Sequence, residues 1–303
     1  MIKDFDTIVY HSPCSDGTAS LWAAEHYQFI DNKVACKAGY SPNEEFINQN
    51  ILFVDLCPRT DYLIKLSRNN NNIVILDHHK SAYEMIYESE EIKEINNIFT
   101  VFDMNRAGCQ ITWDYFFADL KRPFFIDYIA DRDLWKWKLK NSREINATLF
   151  EANIIDHTDL EKLNDLLIDT EIKKNNLITQ GETILRSNKR EIEVASKVAI
   201  EATFNYEDND YKVWLAGNIS PGLRSELGNY LLDKKFKDET LPDFCATWQY
   251  SPLKNEWWIS LRGNENSPDL SKIAFNLDGG GHKKAAGFTI KDKKGLKKHF
   301  IYK

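Results

Sequence analysis

The chain has 303 residues and a formal net charge of −7 at pH 7, with 43% hydrophobic and 28% charged residues. This length and composition predict a globular protein of about two domains and exclude an intrinsically disordered chain, which would have too few apolar residues to form a core. We find neither an apolar run of the roughly 18 residues that span a membrane nor a signal peptide, and the acidic balance argues against a broad basic surface for long nucleic acids.

Three short apolar runs in the first part of the chain each predict a buried strand. They are residues 8–10, 51–54 and 73–76. A helical pattern follows the first run at residues 18–27, and another surrounds residues 62–66, between the second run and the third. Strands that alternate with helices predict βαβ units and a parallel sheet.

Histidine or aspartate side chains stand where each of these predicted strands ends. They are His11, Asp16, Asp55, Asp77, His78 and His79. Ligands bind at the carboxyl ends of the strands in such sheets, so we expect these side chains to converge. Mixed imidazole and carboxylate ligands suit a divalent first-row ion such as manganese. Paired ions of this kind can share a carboxylate, hold a phosphate and activate water.

The remainder of the chain predicts a helical connection followed by a second, smaller α/β domain. Residues 160–199 have a helical pattern and would bridge the two domains. Short strands are predicted beyond them, at residues 211–216, 244–248, 257–262 and 288–290, together with a helix at 269–276. We therefore expect a first domain over residues 1–190 and a second over residues 200–303.

Five sequence motifs occur in a fixed order along nearly the whole chain. They are His11-x-x-x-x-Asp16-Gly17, Val54-Asp55-x-x-Pro58, Asp77-His78-His79, Ile129-Ala130-Asp131, and Gly279-Gly280-Gly281-His282 followed by Ala285-Ala286-Gly287. In this order they resemble the DHH phosphoesterase superfamily with its smaller C-terminal associated domain. The resemblance is to phosphodiesterases of the nanoRNase and single-strand exonuclease type.

The resemblance implies a role for each matching residue of the first domain. The implied metal ligands are His11, Asp16, Asp55, His78 and Asp131, with Asp55 bridging two ions. The implied catalytic residues are His79, which would face the substrate phosphate, and Asp77, which would orient the histidines. Asp133 competes with Asp131, but Asp131 is preferred because it directly follows Ile129-Ala130, as the fourth motif does.

In the second domain the resemblance implies substrate binding by four residues, namely Arg262, Gly280, Gly281 and His282. Arg262 could clamp a phosphate with two hydrogen bonds, and consecutive glycines could form a concavity of backbone N–H groups for an anion. The alternative is a glycine turn with His282 at the surface. Trp135, Trp137, Trp257 and Trp258 could stack on a base, but packing in the core or at its rim is favoured.

Cys14 is the main departure from the superfamily pattern. It stands two residues before the Asp16-Gly17 pair, where many members have a carboxylate, although some branches have a similar Cys-x-Asp-Gly segment. A neutral thiol is a weaker ligand than a carboxylate for an oxygen-preferring ion. We therefore expect one strongly bound ion and a second that binds weakly.

The resemblance implies a metal-dependent phosphodiesterase that hydrolyses short oligonucleotides, dinucleotides or cyclic dinucleotides with a metal-activated water. Mn²⁺ is the expected cofactor and Mg²⁺ the alternative. Two other functions stay open, a single-strand-specific exonuclease and a non-catalytic nucleotide-binding protein with an impaired metal site. A pyrophosphatase is disfavoured, because the Gly-Gly-Gly-His domain resembles the nucleotide-handling branch. We expect no membrane partner, and a homodimer is compatible with this function.

The five cysteines predict a reducing environment. They are Cys14, Cys36, Cys57, Cys109 and Cys245, an odd number with no C-x-x-C spacing. This distribution is typical of free thiols in a cytosol rather than of a disulfide framework, so we expect a cytoplasmic protein.

Overall fold

The computed structural model describes residues 2–37, 40–118, 120–151, 159–207, 209–217, 219–291 and 293–302. The chain forms two compact units, Met1–Leu185 and Arg186–Lys303. Each unit combines helices with one β-sheet, and the first sheet is entirely parallel. The predicted α/β fold class is therefore confirmed.

The first unit is built on a five-stranded parallel sheet. Its strands are β1 (Thr7–His11), β2 (Asn32–Cys36), β3 (Asn50–Val54), β4 (Asn72–Asp77) and β5 (Ile98–Phe102). Their order in the sheet is β2-β1-β3-β4-β5. The three predicted strands are confirmed as β1, β3 and β4, which occupy the centre of the sheet, while the two edge strands were not predicted.

Among the described residues, eight helices lie in this unit and a ninth continues into the second unit. They are α1 (Ser15–Tyr27), α2 (Thr60–Asn69), α3 (Lys80–Glu88), α4 (Glu90–Lys93), α5 (Gly108–Phe117), α6 (Phe124–Asp133), α7 (Ser142–Glu151), α8 (Glu161–Asn164) and α9 (Glu171–Lys197). The boundary between the units falls within α9. The helical pattern predicted for residues 160–199 is interrupted between α8 and α9.

The sheet of the first unit has a separate hydrophobic layer on each face. Successive strand residues point to opposite faces, so Val9 packs with Leu63 of α2 and Phe53, whereas Ile8 packs with Leu21 of α1. Burying such a side chain contributes about 1.5–3 kcal/mol. Because apolar side chains cover both faces of the sheet, polar side chains are accommodated at its carboxyl edge.

The second unit contains a seven-stranded mixed sheet. Its elements are the strands β6 (Ile200–Tyr206), β7 (Asn209–Ala216), β8 (Phe244–Ser251), β9 (Glu256–Arg262), β10 (Gly280–His282), β11 (Ala285–Ile290) and β12 (Phe300–Ile301), and the helices α10 (Arg224–Leu232), α11 (Leu270–Asn276) and α12 (Lys293–His299). The order is β10-β11-β9-β8-β7-β6-β12, and β7 pairs with β8 in parallel while the other neighbours are antiparallel.

The strands predicted for this unit are confirmed within β7, β8, β9 and β11, and the predicted helix is α11. The short edge strands β10 and β12 were not predicted. Within the part of the chain that the structure describes, no helix is both long and apolar enough to cross a membrane.

Candidate metal centre

Asp16 is placed by the tight connection between β1 and α1. A side chain at Gly17 would bring its Cβ to 2.1 Å from the carbonyl oxygen of His11, so only glycine lets α1 begin this close to the strand. The Asp16 carboxylate is fully buried and accepts hydrogen bonds from the backbone N–H groups of Gly108 (2.7 Å) and Cys109 (2.8 Å). Since these groups form the N-terminus of α5, the helix dipole also favours the negative charge.

Asp55 lies immediately after β3 in a left-handed backbone conformation with φ of 55°. Aspartate tolerates this conformation better than most residues. One carboxylate oxygen, Oδ2, lies 3.0 Å from Nδ1 of His11, and the other, Oδ1, lies 3.2 Å from Nε2 of His78. Asp55 therefore connects the end of β1 with the end of β4 through two different oxygens.

His78 follows β4 and faces three carboxylates with a single ring nitrogen. Its Nε2 lies 3.2 Å from Oδ1 of Asp55, 3.4 Å from Oδ2 of Asp16 and 3.5 Å from Oδ2 of Asp133. The side chains of His78, Asp55 and Asp16 are no more than 1% exposed, whereas that of Asp133 is 25% exposed. The surroundings of His78 Nε2 are thus partly open to solvent at Asp133.

Asp77 holds the turn that carries both histidines. Its Oδ1 accepts hydrogen bonds from the backbone N–H groups of His78 (2.7 Å) and His79 (3.3 Å) and from Nδ1 of the His79 ring (2.7 Å). The last bond requires Nδ1 of His79 to be the donor, because a carboxylate only accepts. The other oxygen, Oδ2, is buried without a hydrogen-bond partner among the described residues, which is costly unless something positive or a donor meets it.

The two aspartates near the end of α6 have different surroundings. The carboxylate of Asp131 is buried and accepts the backbone N–H groups of Lys138 (2.9 Å) and Leu139 (3.1 Å). Two residues correspond to about 200° around a helix, so Asp131 and Asp133 point in nearly opposite directions. The structure therefore brings Asp133, rather than the preferred Asp131, to the cluster around His78.

Cys14 lies on the His11 side of Asp55. Potential ligand atoms of His11, Cys14 and Asp55 lie within 4.8 Å of one another. Burial raises the pKa of the Cys14 thiol well above its usual value, and the negative charges of Asp55, Asp133 and Asp16 raise it further. Without a bound cation this thiol therefore stays neutral at pH 7.

The electrostatics of the cluster show an excess of negative charge. Burial raises the pKa of Asp16 well above its usual value, and the charges of Asp55 and Asp133 add to this effect. Burial opposes the charged form of His78, but its hydrogen bond to Asp55 and the charges of Asp133 and Asp16 prevail and raise its pKa to about 10. For Asp55, burial is outweighed by hydrogen bonds from His11 and His78, and its pKa falls well below the usual value.

Residues of the cluster form groups of donor atoms that lie close enough together to hold a divalent cation. Asp16, His78 and Asp133 form one group of donors whose ligand atoms lie within 4.8 Å of one another, and His11, Cys14 and Asp55 form another. Asp55 also belongs to a group with Asp77, His78 and His79. Crowded carboxylates, imidazoles and the buried, unpaired oxygen of Asp77 form a donor set that suits a divalent cation.

The residues predicted to bind substrate in the second unit lie on neighbouring strands. Arg262 ends β9, and its guanidinium donates to Oγ of Ser225 (2.5 Å) and to the carbonyl oxygen of Leu261 (2.8 Å). Gly280, Gly281 and His282 form the edge strand β10, which pairs with β11. The segment expected to form a glycine concavity is therefore part of the sheet edge, and its role in substrate binding stays a prediction. Gly281 has φ of 136°, which L side chains rarely adopt.

Comparisons with known proteins give no match to any protein-family profile. Among solved structures, the chain is similar to the pGpG-specific phosphodiesterase PggH of Vibrio cholerae, with 12% identity, a TM-score of 0.44, and coverage of 96% of this chain and 95% of that one. It is also similar to RecJ of Thermus thermophilus, solved with Mg²⁺, with 12% identity, a TM-score of 0.38, and coverage of 94% of this chain and 47% of RecJ.

A curated relative is considerably more similar in sequence. It is the uncharacterized protein R106 of Acanthamoeba polyphaga mimivirus, which is 30% identical over 308 aligned positions, covering 96% of this chain and 68% of the viral protein. At this identity and coverage, the chain belongs to the same protein family as the mimivirus protein R106.

Proposed function

We propose that this protein is a metal-dependent phosphodiesterase that cleaves short oligonucleotides or dinucleotides. The observation that carries the proposal is the position of Asp55, whose two oxygens face His11 on one side and His78 on the other. A carboxylate shared between two donor groups is what a pair of divalent ions needs to hold a phosphate between them. The resemblance of the motifs to DHH phosphoesterases supports the same activity.

Asp16, His78 and Asp133 would hold one ion, and His11 and Cys14 would face the other, with Asp55 between them. Ions bound there would supply charge stabilisation for the phosphate and activation of the attacking water. Imidazole nitrogens in both donor groups favour manganese over magnesium, which prefers sites of oxygen alone. Asp131, which contacts the loop after α6 instead, is not included in this proposed ligand set.

His79 would act on the substrate rather than on the ions. Asp77 accepts the hydrogen of Nδ1 and so fixes the orientation of the His79 ring. With Nδ1 donating to Asp77, Nε2 of the neutral ring carries a lone pair and would accept a proton. It would donate a hydrogen bond to a phosphate oxygen only when the ring is protonated. In the second unit, Arg262, Gly280, Gly281 and His282 stay our proposed substrate-binding residues, by resemblance alone.

Cys14 favours a second candidate, a non-catalytic nucleotide-binding protein in which the His11 side holds no ion. The two candidates differ in whether divalent ions produce turnover. We expect that chelation abolishes hydrolysis of a dinucleotide, and that Mn²⁺ restores it at least as well as Mg²⁺. Steady-state assays with DNA and RNA of two to twenty units should show the highest kcat/KM for the shortest substrates, since a net charge of −7 disfavours the binding of long polyanionic strands.

The comparison of substrate lengths also distinguishes the exonuclease alternative, which predicts that single strands of twenty units are cleaved as well as the shortest. Full activity after thorough chelation would contradict the metal-dependent proposal. Nucleotide binding without turnover in any divalent ion would favour the non-catalytic candidate.

Replacing Cys14 with aspartate is expected to strengthen the weaker of two metal positions. The unaltered protein should bind one Mn²⁺ tightly and a second weakly, because a neutral thiol faces the second position. Adding a charged oxygen ligand should raise the second affinity by about tenfold or more, since ligand charge tunes the affinity of such sites. Isothermal titration calorimetry measures both affinities.

The matched control for this experiment is Cys14→Ser, which keeps the size of the side chain but supplies no negative charge. This variant should leave the second affinity close to that of the unaltered protein. If the unaltered protein binds two Mn²⁺ ions with equally high affinity, the prediction of one strong and one weak metal position is wrong.

A further inference from the structure

We propose that the loop of residues 134–141, which follows α6, is a subsite that stacks a nucleobase of the substrate beside the metal centre. The inference rests on the proposed phosphodiesterase function and names part of its substrate, a single-stranded nucleic acid with intact bases. The loop has the sequence Leu-Trp-Lys-Trp-Lys-Leu-Lys-Asn, in which apolar and basic residues alternate. Aromatic and basic side chains together are typical of surfaces that bind single strands.

The 134–141 loop is anchored by Asp131. The backbone carbonyl of Asp131 accepts the N–H groups of Lys136 (2.8 Å) and Trp137 (3.3 Å), and its carboxylate accepts those of Lys138 and Leu139. Nζ of Lys136 also donates to the carbonyl oxygen of Asn105 at 2.8 Å, in the segment after β5. The loop is therefore held in one conformation rather than left to vary.

This conformation is strained. Trp135, Trp137 and Asn141 have positive φ values of 53°, 50° and 57°. A left-handed backbone is a genuine outlier for a bulky residue such as tryptophan. Strain of this kind persists only where surrounding contacts impose it, and it concentrates at ligand-binding and active sites. Four hydrogen bonds to one buried aspartate supply those contacts.

The strained conformation brings the two tryptophans together. Their ring centroids lie 5.1 Å apart with the planes at 77°, and the guanidinium of Arg143 lies 4.3 Å from the centroid of the Trp137 ring. Both tryptophans are half-buried. The Trp137 ring thus contacts both Trp135 and Arg143. Among the described residues, Trp137 is the one ring or cation that contacts the Trp135 ring. Trp135 is therefore the ring available to a base.

Position and charge connect the 134–141 loop to the metal centre. Trp135 follows Asp133 by two residues, which places its Cα within about 7 Å of that of the proposed ligand. Four basic residues, Lys136, Lys138, Lys140 and Arg143, occur between Asp133 and Glu144 without an acidic one, in a chain whose net charge is −7. Lys138 and Lys140 are exposed and can meet the phosphates that flank a stacked base.

The test compares a dinucleotide that has both bases with a matched abasic dinucleotide, in the presence of Mn²⁺. Trp135→Ala should raise KM for the base-containing substrate by about tenfold, with kcat changed less than about threefold. The same variant should leave KM for the abasic substrate unchanged. Trp135→Phe, which keeps an aromatic ring, should retain most of the affinity. Phe29→Ala, which removes an exposed aromatic ring between α1 and β2, serves as the control and should leave KM for both substrates unchanged.

A binding measurement without turnover separates this inference from the proposed function. Fluorescence anisotropy of a fluorescein-labelled tetra-adenylate RNA is recorded in EDTA, and Trp135→Ala should weaken binding by a similar factor. If no substrate is hydrolysed but this loss of binding persists, the phosphodiesterase proposal fails and the stacking subsite stands. If hydrolysis proceeds with an unchanged KM in Trp135→Ala, the stacking subsite is refuted.

A second variant covers the case in which Trp135→Ala does not fold. Lys138→Glu combined with Lys140→Glu alters exposed side chains only and should weaken binding of the labelled RNA and reduce the dependence of that binding on salt. A salt dependence equal to that of the unaltered protein would overturn the role of the loop.

Discussion

Asp55→Asn is expected to lower phosphodiester hydrolysis by roughly three orders of magnitude, since several kcal/mol of charge stabilisation depend on the ions and each factor of ten in rate corresponds to about 1.4 kcal/mol. The effect is the largest we expect because Asp55 contacts both histidine sides of the cluster. An asparagine side chain keeps the shape but can present only one oxygen. The loss should appear in kcat and in the Mn²⁺ affinity, measured by steady-state kinetics and by calorimetry.

Asp103→Asn is the matched control for this experiment. Asp103 also follows a strand of the first sheet, but it pairs with Arg106 at 2.7 Å and accepts the N–H of Asn105 at 2.9 Å. Its replacement should leave turnover within about threefold, as expected for a partly exposed ion pair. Asp55→Asn with more than a tenth of the original activity, in a folded protein, would contradict the central position given to Asp55.

Asp133→Asn should lower kcat by roughly a hundredfold or more, whereas Asp131→Asn should change kcat by less than about threefold. The reason is their placement on α6, which directs Asp133 to Nε2 of His78 and Asp131 to the backbone of the 134–141 loop. For Asp131→Asn we expect instead a loss of stability of about 1–3 kcal/mol, because one buried N–H loses its acceptor. Steady-state kinetics and urea unfolding measure these effects.

The loop contacts make a further distinction between the two variants. Asp131→Asn should raise KM for base-containing dinucleotides more than for abasic ones, because Asp131 positions the loop that carries Trp135. Asp131→Glu, which keeps the charge, should recover part of this loss. If Asp131→Asn lowered kcat as strongly as Asp133→Asn, the two aspartates would have to be reassigned as partners in metal binding.

The sequence determined the central part of the fold because the central strands are apolar without interruption. Buried runs such as residues 51–54 and 73–76 form strands of a covered parallel sheet, and they are fully buried at Phe53 and Ile75. The edge strand β2 was missed for the complementary reason. In β2 only Val34 and Cys36 are buried, so its hydrophobic signal is too short to be recognised.

The sequence also determined which side chains stand at the carboxyl edge, since the end of a parallel strand fixes where the next residues lie. His11, Asp55 and His78 were identified in this way, and the structure brings all three together. Their convergence follows from strand order, because β1, β3 and β4 are neighbours in the sheet. Local sequence was sufficient here, because each residue directly follows a recognisable strand or ends it.

Contacts that depend on helix direction and on distant chain segments are set by tertiary packing and could not be predicted from the sequence. Asp16 accepts hydrogen bonds from Gly108 and Cys109, which lie 92 and 93 residues further along the chain. No local sequence pattern predicts hydrogen bonds between segments this far apart. Whether Asp131 or Asp133 faces His78 depends on how α6 is rotated about its axis. That rotation is set by the packing of α6 against its neighbours, and a sequence motif does not specify it. The structure likewise decided the path of the 134–141 loop, because four hydrogen bonds to Asp131 impose a backbone that its sequence would not adopt by itself.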